Sequence, residues 1–480
     1  MPPAGKNPPR SPRGHPHKAG EGRRRGVGPT RARMLAIRVL ERVVRSKAFA
    51  DITLHHLLSG SDLSTEDRAL ATELVYGTLR WQGRLDFILS HVLDRDKESL
   101  EPLVLSTLRM GAYQILFSDR IADATAVDQA VHCIRALGAE RACGLVNASL
   151  RRVSSEHASI PFPSAVRDPL GHLVHGLSLP EWIAKRWLDL YGPEDAAALA
   201  RISNDPPPLS IRVNRRKNTA SELLEEIGAR FPDARLGTYG RDTIILGQRG
   251  NAAKDEAFLQ GRFTVQDEAS QLVVDFLDPQ PGERVLDTCA APGTKTTAIA
   301  ERIGESGFVL AIDRHPPRLG LVARAARRLD LETIETLARD ATGPLSDLTE
   351  SRTKEGFDRV LVDAPCSGLG TLRRHPDARW RVLPEDIETL QALQVSILRQ
   401  AAGALRVGGT LVYSTCTLVP EENEDVVALW LDQNNEFRRA SPSQLPSSLK
   451  ALLDESGDLR CLPHRHHTDG FYAARLERIP

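Results

Sequence analysis

The chain has no net charge. Its 63 Lys and Arg are matched by 63 Asp and Glu over 480 residues. Bulk electrostatics therefore give no argument for a nucleic-acid partner. The sequence also has no apolar run of the roughly 18 residues that reads as a membrane-spanning helix, so no span is expected. Cysteines are few: Cys133, Cys143, Cys289, Cys366, Cys416 and Cys461, none of them in a C-x-x-C pair. That argues against a zinc ribbon or a thioredoxin-type centre, and no metal is expected. The first residues carry no apolar signal core. These absences together predict a cytoplasmic protein with reduced thiols. A free thiol is most often a small buried hydrophobe, so each cysteine needs its own case for chemistry.

What is present is uneven. Residues 1–34 hold nine Lys and Arg against the single acid Glu21, a net of +8, while residues 271–480 sum to −6. The neutral total averages a basic tail with a mildly acidic body. Residues 1–30 are rich in Pro, Gly and Arg and poor in aliphatics, so a disordered tail is expected there. It is either plainly solvated or an arm that touches RNA, and its Pro and Gly content disfavours the third reading, an organelle transit peptide.

Four segments follow. Residues 31–160 show the 3.6-residue period of helices throughout, beginning with Leu35, Val39 and Val43, and Ser64 is a plausible N-cap with Asp67 three positions on. This predicts an all-α bundle with Cys133 and Cys143 as core residues. Residues 160–180, with several Pro, Gly and His, read as a linker. Residues 175–270 mix helix patterns with short strands and suggest a small α+β unit, entered through the rigid run Asp205-Pro206-Pro207-Pro208. Residues 271–480 alternate short apolar strands with helices, as in βαβ crossovers. A mostly parallel, doubly wound, Rossmann-like sheet is expected.

In such a sheet, ligands bind beyond the carboxyl ends of the strands. The loop after the first strand, Asp287-Thr288-Cys289-Ala290-Ala291-Pro292-Gly293-Thr294-Lys295, is small and lets backbone approach a ligand. It is neither G-x-G-x-x-G nor a Walker A loop. Asp313 ends the next strand, where an acid binds ribose hydroxyls, and Asp340 ends the third, facing a base edge. An acid at such a position also serves as an ordinary N-cap. Together these features favour a nucleoside without a phosphate anchor, and S-adenosylmethionine over a dinucleotide.

The fourth strand ends in Asp363-Ala364-Pro365-Cys366 and the fifth in Ser414-Thr415-Cys416. As neighbours in the sheet, they would carry Cys366 and Cys416 to one edge of one pocket. A thiolate beside a methyl donor suggests addition to carbon 6 of a cytosine, which makes carbon 5 nucleophilic. Asp363 would sit against ring nitrogen 3. Spacing alone does not say which thiol attacks. Arg373 and Arg374, close behind Cys366, would steady a thiolate or hold phosphates. Arg212, Arg215 and Arg216 form a second cluster, either a solvated surface or contacts to an RNA backbone.

The stretches DTCAAPGTKT, VLVDAPCSGLGTLRRHPD and STCTLVPEENEDVV resemble the Sun/Fmu, or RsmB-type, RNA cytosine-5 methyltransferases. LATELVYGTLRW and LVNASLRR resemble the NusB-like RNA-binding domain that precedes the catalytic part in those proteins. The resemblance covers nearly everything after the tail. It implies that Cys416 is the nucleophile and that Cys366 helps release the product. It also implies donor contacts from Cys289, Ala290, Ala291, Pro292, Gly293, Thr294 and Lys295, then Asp313, Asp340 and Asp363. Thr294 stands where the family commonly has a second glycine. The expected protein is a monomeric enzyme that makes 5-methylcytosine in small-subunit ribosomal RNA. The rival is a non-catalytic NusB-like RNA-binding or assembly factor, and a DNA substrate is a third option. Cys461 fits no motif and is expected to be structural.

Overall fold

The computed structural model describes residues 28–247, 252–348, 355–441 and 444–480. The expectation of a disordered tail falls on residues that lie, up to 27, outside that range.

Seven α-helices build the N-terminal part: Arg31–Ser46, Ala50–Ser59, Thr65–Arg80, Gln82–Val92, Pro102–Phe117, Asp123–Ala136 and Cys143–Glu156. Ser64 caps the third as its sequence position suggested, its hydroxyl accepting the Asp67 amide at 3.1 Å. That bond satisfies one of the amides a helix start leaves open. The first helix buries Ala36, Ile37, Val39, Leu40 and Val43 against Leu79, Leu108, Ile134 and Leu150. Leu35, at the edge of the stripe, is only partly covered. Cys133 is fully buried in this core and Cys143 half-buried at its margin.

The stretch expected as a linker is not one. Pro169–Gly171 and His172–Gly176 are short helical turns. Leu173, Leu177 and Leu179 are buried in a cluster that also holds Leu369, Leu372 and Leu418 of the C-terminal part. Its leucines pack the segment down, which Pro and Gly content alone does not reveal. The helix Glu181–Ser203 then kinks at Gly192, with φ of +74°, just before Pro193. Proline has no amide to donate and its ring disfavours a straight helix there.

The small unit is a four-stranded antiparallel sheet in the order β2-β3-β1-β4, from β1 (Leu209–Val213), β2 (Arg235–Leu236), β3 (Thr243–Gly247) and β4 (Phe263–Val265). The helix Ala220–Ile227 covers it, opened by a capping box of Thr219 and Glu222. The boundary expected between residues 270 and 271 falls inside the next helix, Glu268–Leu277. That helix packs on the C-terminal sheet through Leu272, Val273 and Phe276.

In the C-terminal part five strands run parallel: β5 (Arg284–Asp287), β6 (Phe308–Asp313), β7 (Ile334–Ala338), β8 (Phe357–Asp363) and β9 (Leu405–Thr415). The sheet is mixed, because β10 (Phe437–Arg439), β11 (Leu459–Cys461) and β12 (Phe471–Arg478) join antiparallel. Its order is β7-β6-β5-β8-β9-β12-β10, with β11 also on β12. Alternate residues serve opposite faces. Val285, Val309 and Leu361 enter one core, while Leu286, Leu310, Val360 and Val362 enter the other. The strand order reverses between β5 and β8, so a crevice opens beyond their carboxyl ends.

Candidate active site

The crevice is a cavity of about 330 Å³. Cys289 and Ala291 after β5, Asp313 at the end of β6 and Asp340 after β7 form one side. Asp363, Cys366 and Cys416 form the other, with Leu393 and Ile397 of the helix Pro384–Gly403 as an apolar wall.

The β5 loop is built for close approach. Gly293 has a φ of +104° and opens the helix Thr294–Ile303. A Cβ there would stand 3.0 Å from Val322 Cα. Left-handed backbone and lack of room both ask for glycine. The loop does not present all its residues to the cavity, however. Ala290 packs with Ala311, Leu319 and Val322. Thr294 begins the helix, and its carbonyl accepts Arg212 Nη1 at 2.5 Å. Pro292 joins Ala291 through a cis bond. Lys295 reaches the cavity indirectly, donating from Nζ to Asp363 Oδ2 at 2.7 Å, with the ammonium 4.9 Å from the centre of the Phe471 ring.

Asp313 is 5% exposed, and Oδ1 accepts the His315 amide at 2.9 Å. Asp340 Oδ1 accepts the amide and hydroxyl of Thr342 at 2.9 and 2.8 Å. Those two bonds hold its carboxyl below the usual range. Asp340 therefore also serves as the local loop cap that a lone acid at a strand end often is. Arg314, His315 and Arg318 line the cavity too and went unrecognised in the sequence. Their signal is closeness to the strand-ending Asp313, with Arg314 and His315 directly after it and Arg318 in the first turn of the next helix.

The β8 and β9 loops meet as adjacent parallel strands require. Asp363 pairs in register with Ser414, whose hydroxyl donates to Asp363 Oδ1 at 3.0 Å. Cys366 Sγ lies 3.3 Å from Cys416 Sγ, and the Cys416 amide donates to Cys366 Sγ at 3.4 Å. Both cysteines are half-buried. The contact with Cys416 and then burial push the Cys366 thiol well up. Gly370 makes the approach possible: a Cβ there would come within 2.2 Å of the Gly470 carbonyl oxygen and 2.8 Å of that of Cys416.

Behind the two loops lies a set of residues that no charge or spacing argument had singled out. Glu422 and Asn423 come from the stretch PEEN, and Gln394 from the helix Pro384–Gly403. All three are buried. The available signal was the position of PEEN directly after the Cys416 loop.

The basic clusters require correction. Arg212 is 2% exposed, and its guanidinium donates to Glu301 Oε1 at 2.8 Å, to Thr297 Oγ1 at 3.0 Å and to Gln266. It joins the small sheet to the catalytic domain and is closed to a phosphate. Arg373 is 7% exposed and donates to the carbonyls of Asp205 and Pro206 at 3.3 and 3.2 Å. Arg374 bridges Asp469 at 2.6 Å and Asp267 at 2.7 Å. Neither steadies a thiolate or faces solvent as a phosphate hook. The segment they belong to continues through Arg379, which is fully buried. It donates to the carbonyls of Arg80, Ser178 and Ser203 and to Asn204 Oδ1. This segment fastens the helical bundle and the small sheet to the Cys366 loop. Arg215 and Arg216 are exposed on the small unit, where Arg216 pairs with Glu305 at 2.6 Å.

Cys461 is fully buried. No group of three or more potential metal ligands occurs among the described residues. Among the same residues no helix is long and apolar enough to cross a membrane.

Comparison with known proteins agrees with this architecture. Residues 274–477 match the family described as 16S rRNA methyltransferase RsmB/F, residues 30–155 the NusB family, and residues 179–253 an RsmF/B-like ferredoxin-like domain. "Probable ribosomal RNA small subunit methyltransferase B" of Bacillus subtilis (strain 168) is 36% identical over 94% of this chain and 99% of its own. The ribosomal RNA small subunit methyltransferase B of Pseudomonas putida is 34% identical over 93% of this chain and 98% of its own. The crystal structure of PH0851 superposes with a TM-score of 0.76 at 26% identity, covering 93% of this chain and 99% of that one. With relatives at this identity matched along nearly their whole length, the chain belongs to the RsmB/F family of 16S rRNA methyltransferases, carrying a NusB-family domain and a ferredoxin-like domain before the catalytic sheet.

Proposed function

We propose that this protein methylates carbon 5 of a cytosine in small-subunit ribosomal RNA, with S-adenosylmethionine as donor and Cys416 as a covalent nucleophile. The observation that carries the reading is the pair of thiols with Sγ atoms 3.3 Å apart beside a carboxylate-lined cavity. A direct transfer to a base needs no thiol, and a covalent route through carbon 6 needs one for the attack. Attack and release by separate groups explain both.

The cavity suits the donor. It offers the carboxylates of Asp313 and Asp340, an apolar wall of Leu393 and Ile397, and no phosphate-binding loop. Those groups match ribose hydroxyls, a flat base and a cationic sulfonium. Bound there, S-adenosylmethionine supplies an electrophilic methyl group. Asp313 accepts from the ribose, and Asp340 faces the base.

The remaining steps belong to the chain and its RNA. The target cytosine must leave its stack to reach Cys416. The Cys416 thiolate forms a bond to carbon 6, and the electron pair of the C5–C6 double bond moves onto the ring, making carbon 5 nucleophilic. Nitrogen 3 takes up a proton from solvent as that density reaches it, and Asp363, fixed by Lys295 and Ser414, accepts the resulting N–H. Carbon 5, once it has taken the methyl group, loses its proton to solvent, as nitrogen 3 does. The electron pair re-forms the double bond and the bond to Cys416 breaks. Cys366 assists that release.

Replacing Cys416 with Ala is expected to abolish methylation of ribosomal RNA. Cys366→Ala is expected to retain attack but stall release, leaving a protein–RNA species that survives a denaturing gel. A methylating Cys416→Ala protein would show that the nucleophile is misassigned.

A further inference from the structure

Nothing in two neighbouring strands requires their loop tips to hold two thiols in contact, or decides which of the two is charged. Glu422 touches both loops. It is fully buried. Its Oε2 accepts the Ser367 amide at 2.8 Å and Gln394 Nε2 at 3.0 Å, and its Oε1 accepts the Ser367 hydroxyl at 2.5 Å. The Ser367 oxygen lies 2.7 Å from Thr417 Oγ1. Ser367 follows Cys366 and Thr417 follows Cys416, so one carboxylate braces the residue beside each thiol. Gln394 also donates to the Pro365 carbonyl at 2.9 Å, on the other side of Cys366. Asn423 braces Cys416 from both sides, its Oδ1 accepting Thr415 Oγ1 at 2.5 Å and its Nδ2 donating to the Thr417 carbonyl at 3.2 Å.

The partners of the Glu422 carboxylate are two N–H groups and a hydroxyl, all neutral. A carboxylate, which only accepts, satisfies that arrangement, although burial pushes its carboxyl up. A buried charge without a cation is costly to keep, and an uncharged residue of similar size would fill the space at lower cost.

We propose that Glu422 is the positioning residue that divides labour between the thiols: its carboxylate anchors the Cys366 loop through Ser367, and its negative charge keeps Cys366 protonated so that the thiolate forms on Cys416. The inference rests on the reading of Cys416 as nucleophile. Around Cys366 the titratable and charged groups are Cys416, Glu422 and Tyr413, with Asp363 on the same side of the cavity and paired to Lys295. Asp363 and Lys295 largely cancel as a 2.7 Å ion pair. The Tyr413 hydroxyl donates to the Glu422 carbonyl at 2.6 Å and stays neutral, since burial pushes it well up. Glu422 is the uncompensated charge of the set. The contact with Cys416 and burial raise the Cys366 thiol more than Glu422 does, and the Cys416 amide at Cys366 Sγ acts in the opposite direction.

The test is limiting alkylation of the full-length protein by iodoacetamide, without RNA or donor, across pH 6.5 to 10. Mass spectrometry reads the label on each thiol. In the native chain Cys416 is expected to label ahead of Cys366 at every pH below the Cys366 inflection. In Glu422→Gln the ratio is expected to fall, with the Cys366 inflection moved to lower pH. Glu422→Asp, which keeps the charge, is expected to restore most of the ratio. An unchanged ratio in Glu422→Gln overturns the proposal. So does a native chain in which Cys366 labels as fast as Cys416, and that reading needs no variant to fold. Methylation by Cys416→Ala would instead overturn the nucleophile assignment, which labelling without RNA does not measure.

Discussion

Arg212 of the ferredoxin-like domain and Glu301 of the catalytic domain form a 2.8 Å ion pair in which each side chain is only 2% exposed. Breaking it by Arg212→Ala strands a buried carboxylate and is expected to cost about 3–5 kcal/mol of stability, read as a lowered urea midpoint. Replacing both partners with apolar residues of similar volume is expected to cost far less. A stable Arg212→Ala protein with weakened RNA binding would contradict the structural role.

Asp313, 5% exposed at the end of β6, is the group assigned to the donor ribose. Its replacement with Ala removes hydrogen bonds to a charged acceptor, each worth about 1.5–3 kcal/mol. Calorimetric titration with S-adenosylmethionine is expected to show at least a tenfold weaker Kd, while adduct formation through Cys416 persists. Absence of any heat with the native chain would favour a non-catalytic assembly role.

Asp287 is 1% exposed, and burial pushes its carboxyl up to about 7 despite a 2.7 Å bond from Thr296 Oγ1. The folded state then binds this proton more tightly than the unfolded chain does. Its contribution to stability is present at low pH and is lost as pH rises through about 7. Asp287→Asn cannot ionise. The variant is expected to gain stability relative to the native chain between pH 5 and pH 8, measured as the shift in urea midpoint. A gap independent of pH would refute this.

Arg215 is exposed on the ferredoxin-like domain and stands 3.9 Å from Asp242, too far for a tight pair. If it meets an RNA phosphate, Arg215→Gln is expected to reduce the slope of log affinity against log salt by about 0.7–0.9 and leave kcat unchanged. The same change at Arg374, bonded to Asp267 and Asp469, is expected to act on folding instead.

Much of the architecture was legible from local signals. Helix period marked the bundle, Ser64 marked a cap, and alternating strands and helices marked the catalytic sheet. The placing of Cys366 and Cys416 at one pocket edge was legible as well, because consecutive parallel strands carry their following loops to one edge. The buried packing of residues 169–179 was not. Pro, Gly and His describe a segment's conformational freedom, whereas its burial depends on Leu369, Leu372 and Leu418 about 200 residues later.

The sequence by itself determined the residue types of the site, the strands that carry them and the motifs they sit in. Only the tertiary structure decided which charges are free. Arg212 and Arg215 stand three residues apart and look equivalent in sequence, but the outcome for each is set by the side chain that folding brings opposite it. Glu301 seals the first, and solvent meets the second. The same holds for Glu422, an acid in an acidic run whose meaning comes from Ser367 and Gln394. A charge is a local property of the chain, but its partner and its solvation are properties of the fold.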